Sequence, residues 1–208
     1  MTPLKLVIFD CDGVMFDSKD ANRIYYNKLL EKFGHTLMDA QEEDYVHSHN
    51  VLDSVNYIFR KYPQEIAEVN RYRISVDYTP YLKHMIIEPD LKKFLNFLKP
   101  KYHTAISTNR SNTMQSVMKM HDLNPYFDLV VTALDVKQPK PHAEGLVKIL
   151  DFFQVSAKEA VYIGDSMVDR EHTSAVEMRL ISFKNPELPA EYHVNCFLDI
   201  PHLPVFQE

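Results

Sequence analysis

The sequence predicts an α/β protein: a parallel-sheet core with a small all-helical cap inserted after the first strand. Three patterns carry this. Residues 6–9, Leu-Val-Ile-Phe, are an apolar run that stops at Asp10-Cys11-Asp12-Gly13, which reads as a buried parallel strand with two carboxylates at its carboxyl end. Residues 17–86 hold helical periodicity without clear strand alternation. Beyond them apolar strands and helices take turns, the arrangement that right-handed crossovers between parallel strands produce.

Each element follows from its own pattern. Residues 20–33 space Ile24, Tyr25, Leu29, Leu30 and Phe33 as an amphipathic helix does. The helical pattern continues from about residue 37 to 82, with Pro63 suited to open a helix because its ring presets φ and it has no N–H to leave unpaired. Pro89 opens a further helix through Phe97 that returns the chain to the core. Strands are expected at 102–107, 128–132, 160–164, 179–183 and 194–198, and helices at 111–121, 142–153 and 167–177. The core thus comprises residues 1–16 and 87–208, and the cap residues 17–86.

Composition excludes some partners. A net charge of -6 leaves no basic footprint for nucleic acid or an anionic membrane. No apolar stretch reaches the length of a membrane span, and Met1-Thr-Pro-Leu-Lys5 runs straight into the first strand without a signal peptide, so a cytoplasmic location is expected. Cys11 and Cys196 are the only cysteines, too few for a disulfide framework. Of only four glycines, Gly13 and Gly164 fall beside aspartates at strand ends, which favours a role in a site over chance.

Asp10 and Asp12 lie where ligands bind in open α/β sheets. Carboxylates so close repel unless a cation lies between them or one holds a proton; the plainer alternative is a turn in which both cap backbone amides. Further along, residues 102–110 read Tyr-His-Thr-Ala-Ile-Ser-Thr-Asn-Arg, residues 137–144 read Lys-Gln-Pro-Lys-Pro-His-Ala-Glu, and residues 160–169 read Ala-Val-Tyr-Ile-Gly-Asp-Ser-Met-Val-Asp. Strand-Asp-x-Asp-Gly, strand-Thr-Asn, Lys-Pro and strand-Gly-Asp-x-x-x-Asp, in this order, resemble the four motifs of the haloacid dehalogenase-like hydrolase superfamily. Within it the chain is most similar to the phosphoglycolate phosphatase and β-phosphoglucomutase branch, whose helical cap lies between the first two motifs.

The resemblance implies a Rossmann-like core and a magnesium-dependent phosphatase acting on a small phosphorylated metabolite through an aspartyl-phosphate. Asp10 would be the nucleophile and Asp12 the general acid and base. Magnesium would be held by the Asp10 carboxylate, the Asp12 backbone carbonyl and Asp165, with Asp169 supporting a metal-bound water or Lys140. Thr108 and Asn109 would bind the phosphoryl group and Lys140 would offset its charge. Gly13 would let backbone approach the phosphate, and Gly164 would let the chain leave its strand before Asp165.

Several choices stay open at this level. Ser107 competes with Thr108, and Lys137 with Lys140; the Thr-Asn and Lys-Pro-x-x-Glu contexts favour Thr108 and Lys140, with Ala143 where the family usually has proline. Arg110 reads as a phosphate contact or as the partner of an acid. His47 and His49 read as solvent-facing or capping groups rather than a zinc site, with substrate contact from the cap as the alternative. A sugar-phosphate mutase would share every core residue, but Asn22 stands where such enzymes carry a histidine, and Asp12 disfavours the dehalogenase and phosphonatase branches. From a different class, a phospho-accepting receiver module also clusters aspartates, a hydroxyl and a lysine around magnesium, though without a helical insertion.

Overall fold

The structure is a computed structural model that describes residues 3–207. Its strands are β1 (Leu6–Phe9), β2 (Phe16–Asp17), β3 (Ile86–Ile87), β4 (His103–Ser107), β5 (Leu129–Val131), β6 (Ala160–Gly164), β7 (Arg179–Phe183) and β8 (Tyr192–Val194). Helices α1 (Lys19–Lys32), α2 (Ala40–Ser48), α3 (Val51–Ile58) and α4 (Ile66–Ser75) follow β2. Helices α5 (Leu91–Leu98), α6 (Met114–Met120), α7 (Glu144–Phe153) and α8 (Met167–Ser174) alternate with the later strands.

Six strands form one parallel sheet in the order β5-β4-β1-β6-β7-β8. The first strand is therefore central, and all its side chains are fully buried, which is why it reads as a continuous apolar run. Alternate residues serve opposite faces. Val7 and Phe9 join Ile106, Ile163 and Phe183 beneath α5 and α6, while Leu6 and Ile8 join Ala105, Tyr162 and Leu180 beneath α7. Helix α5 buries Leu91, Phe94, Leu95 and Leu98, the i, i+3, i+4, i+7 stripe of a helix lying on a sheet.

The chain leaves β1 to pair with β4 on one side, and later returns to pair β6 on the other. This reversal opens a crevice at the carboxyl ends of β1, β4 and β6. Helices α1 to α4 cover it from above around a separate apolar cluster that includes Tyr25, Tyr26, Leu29, Val55, Phe59 and Val69. Both chain crossings run side by side in a short antiparallel ribbon, with Phe16 opposite Ile87 and Asp17 opposite Ile86. No described helix is long and apolar enough to cross a membrane.

Two expectations need correction. Pro63 opens a 3₁₀ turn, Pro63–Glu65, that leads into α4 rather than starting an α-helix itself. The strand expected at 194–198 is Tyr192–Val194, and residues 197–202 instead form a 3₁₀ helix. Phe197 and Ile200 are fully buried there, an apolar spacing of three rather than two.

Behind the sheet, His172 on α8 is fully buried. Its Nδ1 donates to the His142 carbonyl at 2.6 Å and its Nε2 accepts from the Ser107 hydroxyl at 3.0 Å, so both ring nitrogens are satisfied only when the ring is neutral. Burial pushes its pKa down to about 4. An unfolded histidine titrates near 6.5, so the unfolded chain binds more protons between those limits. Stability from this residue is present above pH 6.5 and is lost as pH falls toward 4, by up to about 3 kcal/mol. Urea midpoints measured across that window should fall for the wild type and change less for His172→Gln.

Candidate active site

Three strand ends deliver the site. Asp10 follows β1, Thr108 follows β4 and Asp165 follows β6, and a cleft of about 450 Å³ separates the core side, including Asp10, Thr108 and Lys140, from Tyr25 and His47 of the cap. The Asp10 carboxylate accepts the Cys11 amide at 2.7 Å and pairs with Lys140 Nζ at 2.9 Å. Burial pushes its pKa up to about 7, with Lys140 opposing and Asp169 and Asp12 adding to the rise.

Asp10, Asp165 and Asp169 each offer an oxygen within 4.8 Å of the others. Their surroundings differ sharply. Asp169 is fully buried and saturated: one oxygen accepts from Lys140 at 2.7 Å and Tyr162 at 3.1 Å, the other from the Asp165 and Ser166 amides and the Ser166 hydroxyl. It therefore anchors Lys140 and the loop that carries Asp165, with no oxygen left for direct ligation. The Asp165 carboxylate takes no hydrogen bond from the described residues, and burial followed by the charges of Asp169 and Asp10 holds its pKa well above the usual range. An unpartnered carboxylate facing Asp10 is the arrangement a cation satisfies.

Lys140 is buried and reaches both Asp10 and Asp169. Burial alone would discharge it, but the two carboxylates outweigh that and hold it protonated. Lys137 is exposed instead, and its backbone amide, with that of Gln138, binds the Glu144 carboxylate at 3.0 and 2.9 Å. Glu144 thus fixes the loop from which Lys140 projects.

The hydroxyl ambiguity resolves by strand register. Ser107 points behind the sheet to His172, whereas Thr108 lines the cleft and its oxygen accepts the Arg110 amide at 3.1 Å. Asn109 lines the cleft too; its Nδ2 donates to the Lys140 carbonyl at 3.1 Å, and its buried Oδ1 has no partner among the described residues.

The glycines have reasons that differ from those expected. Gly13 adopts φ +79°, and a Cβ there would lie 2.0 Å from an Asp165 oxygen, so its first constraint is the neighbouring carboxylate. A Cβ on Gly164 would meet the Asp169 Cβ at 2.6 Å.

The Asp12 carboxylate stands apart from the other three. Arg110 grips it with both forks: Nε donates to Oδ2 at 3.1 Å and Nη2 to Oδ1. Burial works to raise the Asp12 pKa, but the facing guanidinium more than offsets this and keeps it below the usual carboxylate range. Arg110 also donates to Thr113 at 3.1 Å and lies 5.6 Å over the Tyr78 ring.

His47, in the last turn of α2, reaches down so that its Nε2 lies 4.0 Å from Asp165 Oδ2, while its buried Nδ1 has no partner. His49 instead hydrogen-bonds the Tyr45 carbonyl at 2.9 Å and stacks on that ring. Tyr162 went unnoticed in the sequence because it lies in an apolar strand; its hydroxyl accepts from Lys140 at 3.1 Å, and its single hydrogen is shared between the Ser107 carbonyl at 2.8 Å and the Asp169 carboxylate at 3.1 Å.

A fold with a carboxylate-rich crevice at these three strand ends defines a haloacid dehalogenase-like hydrolase. The model of that family matches residues 7–183, and the chain belongs to it. Over 96% of its length it superposes on 98% of a subfamily IA hydrolase of the haloacid dehalogenase superfamily from Geobacter sulfurreducens, at 33% identity and a TM-score of 0.84. It also superposes, at 19% identity and a TM-score of 0.85, on a putative phosphoglycolate phosphatase from Lactobacillus plantarum, over 97% and 99% of the two chains. By sequence, pyrophosphatase PpaX of Bacillus cereus is 22% identical over 178 residues, covering 80% of this chain and 76% of that protein. The chain is an enzyme of the hydrolase class, and the receiver reading falls away.

Proposed function

We propose that the protein is a magnesium-dependent phosphatase that hydrolyses a small phosphomonoester through an aspartyl-phosphate on Asp10. The observation that carries this is Asp10 itself: a carboxylate at the end of the central strand, 2.9 Å from a buried lysine and facing the unpartnered Asp165. Asp10 attacks phosphorus through a carboxylate oxygen as Lys140, Thr108 and Asn109 hold the phosphoryl oxygens. The bond from phosphorus to the leaving oxygen breaks, and Asp12 gives that oxygen a proton. Asp12 then takes a proton from water, whose oxygen attacks phosphorus and releases inorganic phosphate and the Asp10 carboxylate.

Magnesium would be held by the Asp10 and Asp165 carboxylates and, in this reading, by the Asp12 backbone carbonyl, because the Asp12 side chain is engaged by Arg110 and Asp169 is saturated. Bound there it would neutralise charge on the phosphoryl oxygens. Residues 17–86 serve in this reading as the cap over a core of residues 1–16 and 87–208, acting on a phosphorylated metabolite in the cytoplasm and on neither nucleic acid nor membrane. Asn22 accepts a hydrogen bond from the Tyr78 hydroxyl at 3.0 Å and offers no base, which favours hydrolysis over the mutase alternative.

Phosphate release from a phosphomonoester panel tests the reading. With magnesium present at least one member should turn over. Exhaustive chelation should cut the rate by about a hundredfold or more, magnesium should restore it, and thermal stability should rise with added metal. A rate indifferent to chelation overturns metal dependence.

A further inference from the structure

Arg110 is paired with the residue read above as the acid. Its fork occupies both oxygens of Asp12, a charge-assisted, two-bond arrangement that leaves the carboxylate committed to the guanidinium rather than to a leaving oxygen. The two side chains are only 5% and 15% exposed, so parting them without replacement strands buried charge. Partner exchange avoids that cost: a second anion takes the guanidinium as Asp12 leaves it.

The cleft is furnished for such an anion. Apart from Asp10 and Asp12, no carboxylate lines it among the described residues, although the chain carries a net charge of -6. Arg73, His47 and His49 do line it, together with Arg110. The unpartnered Nδ1 of His47 is a further polar group there that lacks a ligand.

Resting on the phosphatase reading, we propose that Arg110 is a substrate-operated latch on Asp12. The substrate is a phosphomonoester whose leaving group bears a second anionic group, carboxylate or phosphate, and that group draws Arg110 away so that the freed Asp12 carboxylate can take a proton from water and pass it to the leaving oxygen. Arg110 is a positioning and specificity residue in this scheme: it chooses the substrate by the same movement that readies the acid.

Three probes built on a two-carbon glycolyl or glycol unit separate the possibilities: phosphoglycolate, its carboxyl methyl ester, and ethylene glycol bisphosphate. The wild type should favour at least one anionic probe over the ester by about tenfold or more in kcat/KM, and whichever anion leads identifies the group received. In Arg110→Gln that preference should fall toward unity. Arg110→Lys keeps the buried charge but cannot hold two oxygens in a fork, so it should fold where Gln fails and retain only part of the preference. An unchanged preference in the folded variants overturns the latch, as does a wild type that treats all three probes alike. If the wild type hydrolyses none of them but releases phosphate from other esters, the latch fails and the phosphatase reading stands. No release from any phosphomonoester overturns both.

Discussion

Asp10→Asn should lose at least about a thousandfold in turnover while the fold persists. The substitution keeps size and polarity but removes the attacking oxygen. Asp10 is also crowded by Asp165 and Asp169, all within 4.8 Å, and burial already pushes its proton affinity upward. Neutralising it relieves that repulsion, so the unfolding midpoint of the variant should equal or exceed the wild type's in metal-free buffer. Phosphate release and thermal unfolding measured on one preparation separate the two effects. A variant within tenfold of the wild-type rate would remove Asp10 from the role of nucleophile.

Lys140→Met should act in the opposite sense on stability. Its ammonium lies 2.9 Å from Asp10 and 2.7 Å from Asp169, and its loss leaves both buried carboxylates without their cation. Breaking one side of a buried pair costs about 3–5 kcal/mol, and turnover should fall with it because the phosphoryl group loses its counter-charge. Acid should narrow the stability gap between variant and wild type, since Asp169 is held ionised by Lys140 and a protonated carboxyl no longer needs the ammonium. Urea melts at neutral and acid pH read this directly; a gap that widens on acidification would contradict it.

The carboxylates at the strand ends were legible because Asp10 and Asp165 each follow an apolar strand, a local signal that survives without knowledge of packing. Strand ends also separated Thr108 from Ser107 once the register was known, a distinction that period-two alternation makes but sequence order alone does not. What escaped was long-range or disguised. Arg110 and Asp12 are 98 residues apart, so nothing local announces their pairing. Tyr162 reads as one more apolar strand residue although its hydroxyl ties Lys140 to the Ser107 carbonyl. His47 becomes a roof over Asp165 only through the way α2 lies across the crevice. The last strand was placed too late because Phe197 reads as a strand residue, whereas it buries itself together with Ile200 in a tight turn of helix.

The ribbon of β2 and β3 has a consequence of its own. Its strands are antiparallel neighbours, so the chain departs from the sheet and comes back at nearly one point. The entropic cost of closing the intervening residues into a loop therefore grows only with the logarithm of their number. Such a joint lets the covering segment be lengthened, shortened or exchanged by recombination with little penalty to the β-strands below. New side chains can then be placed over the cleft without disturbing the carboxylates at the strand ends below.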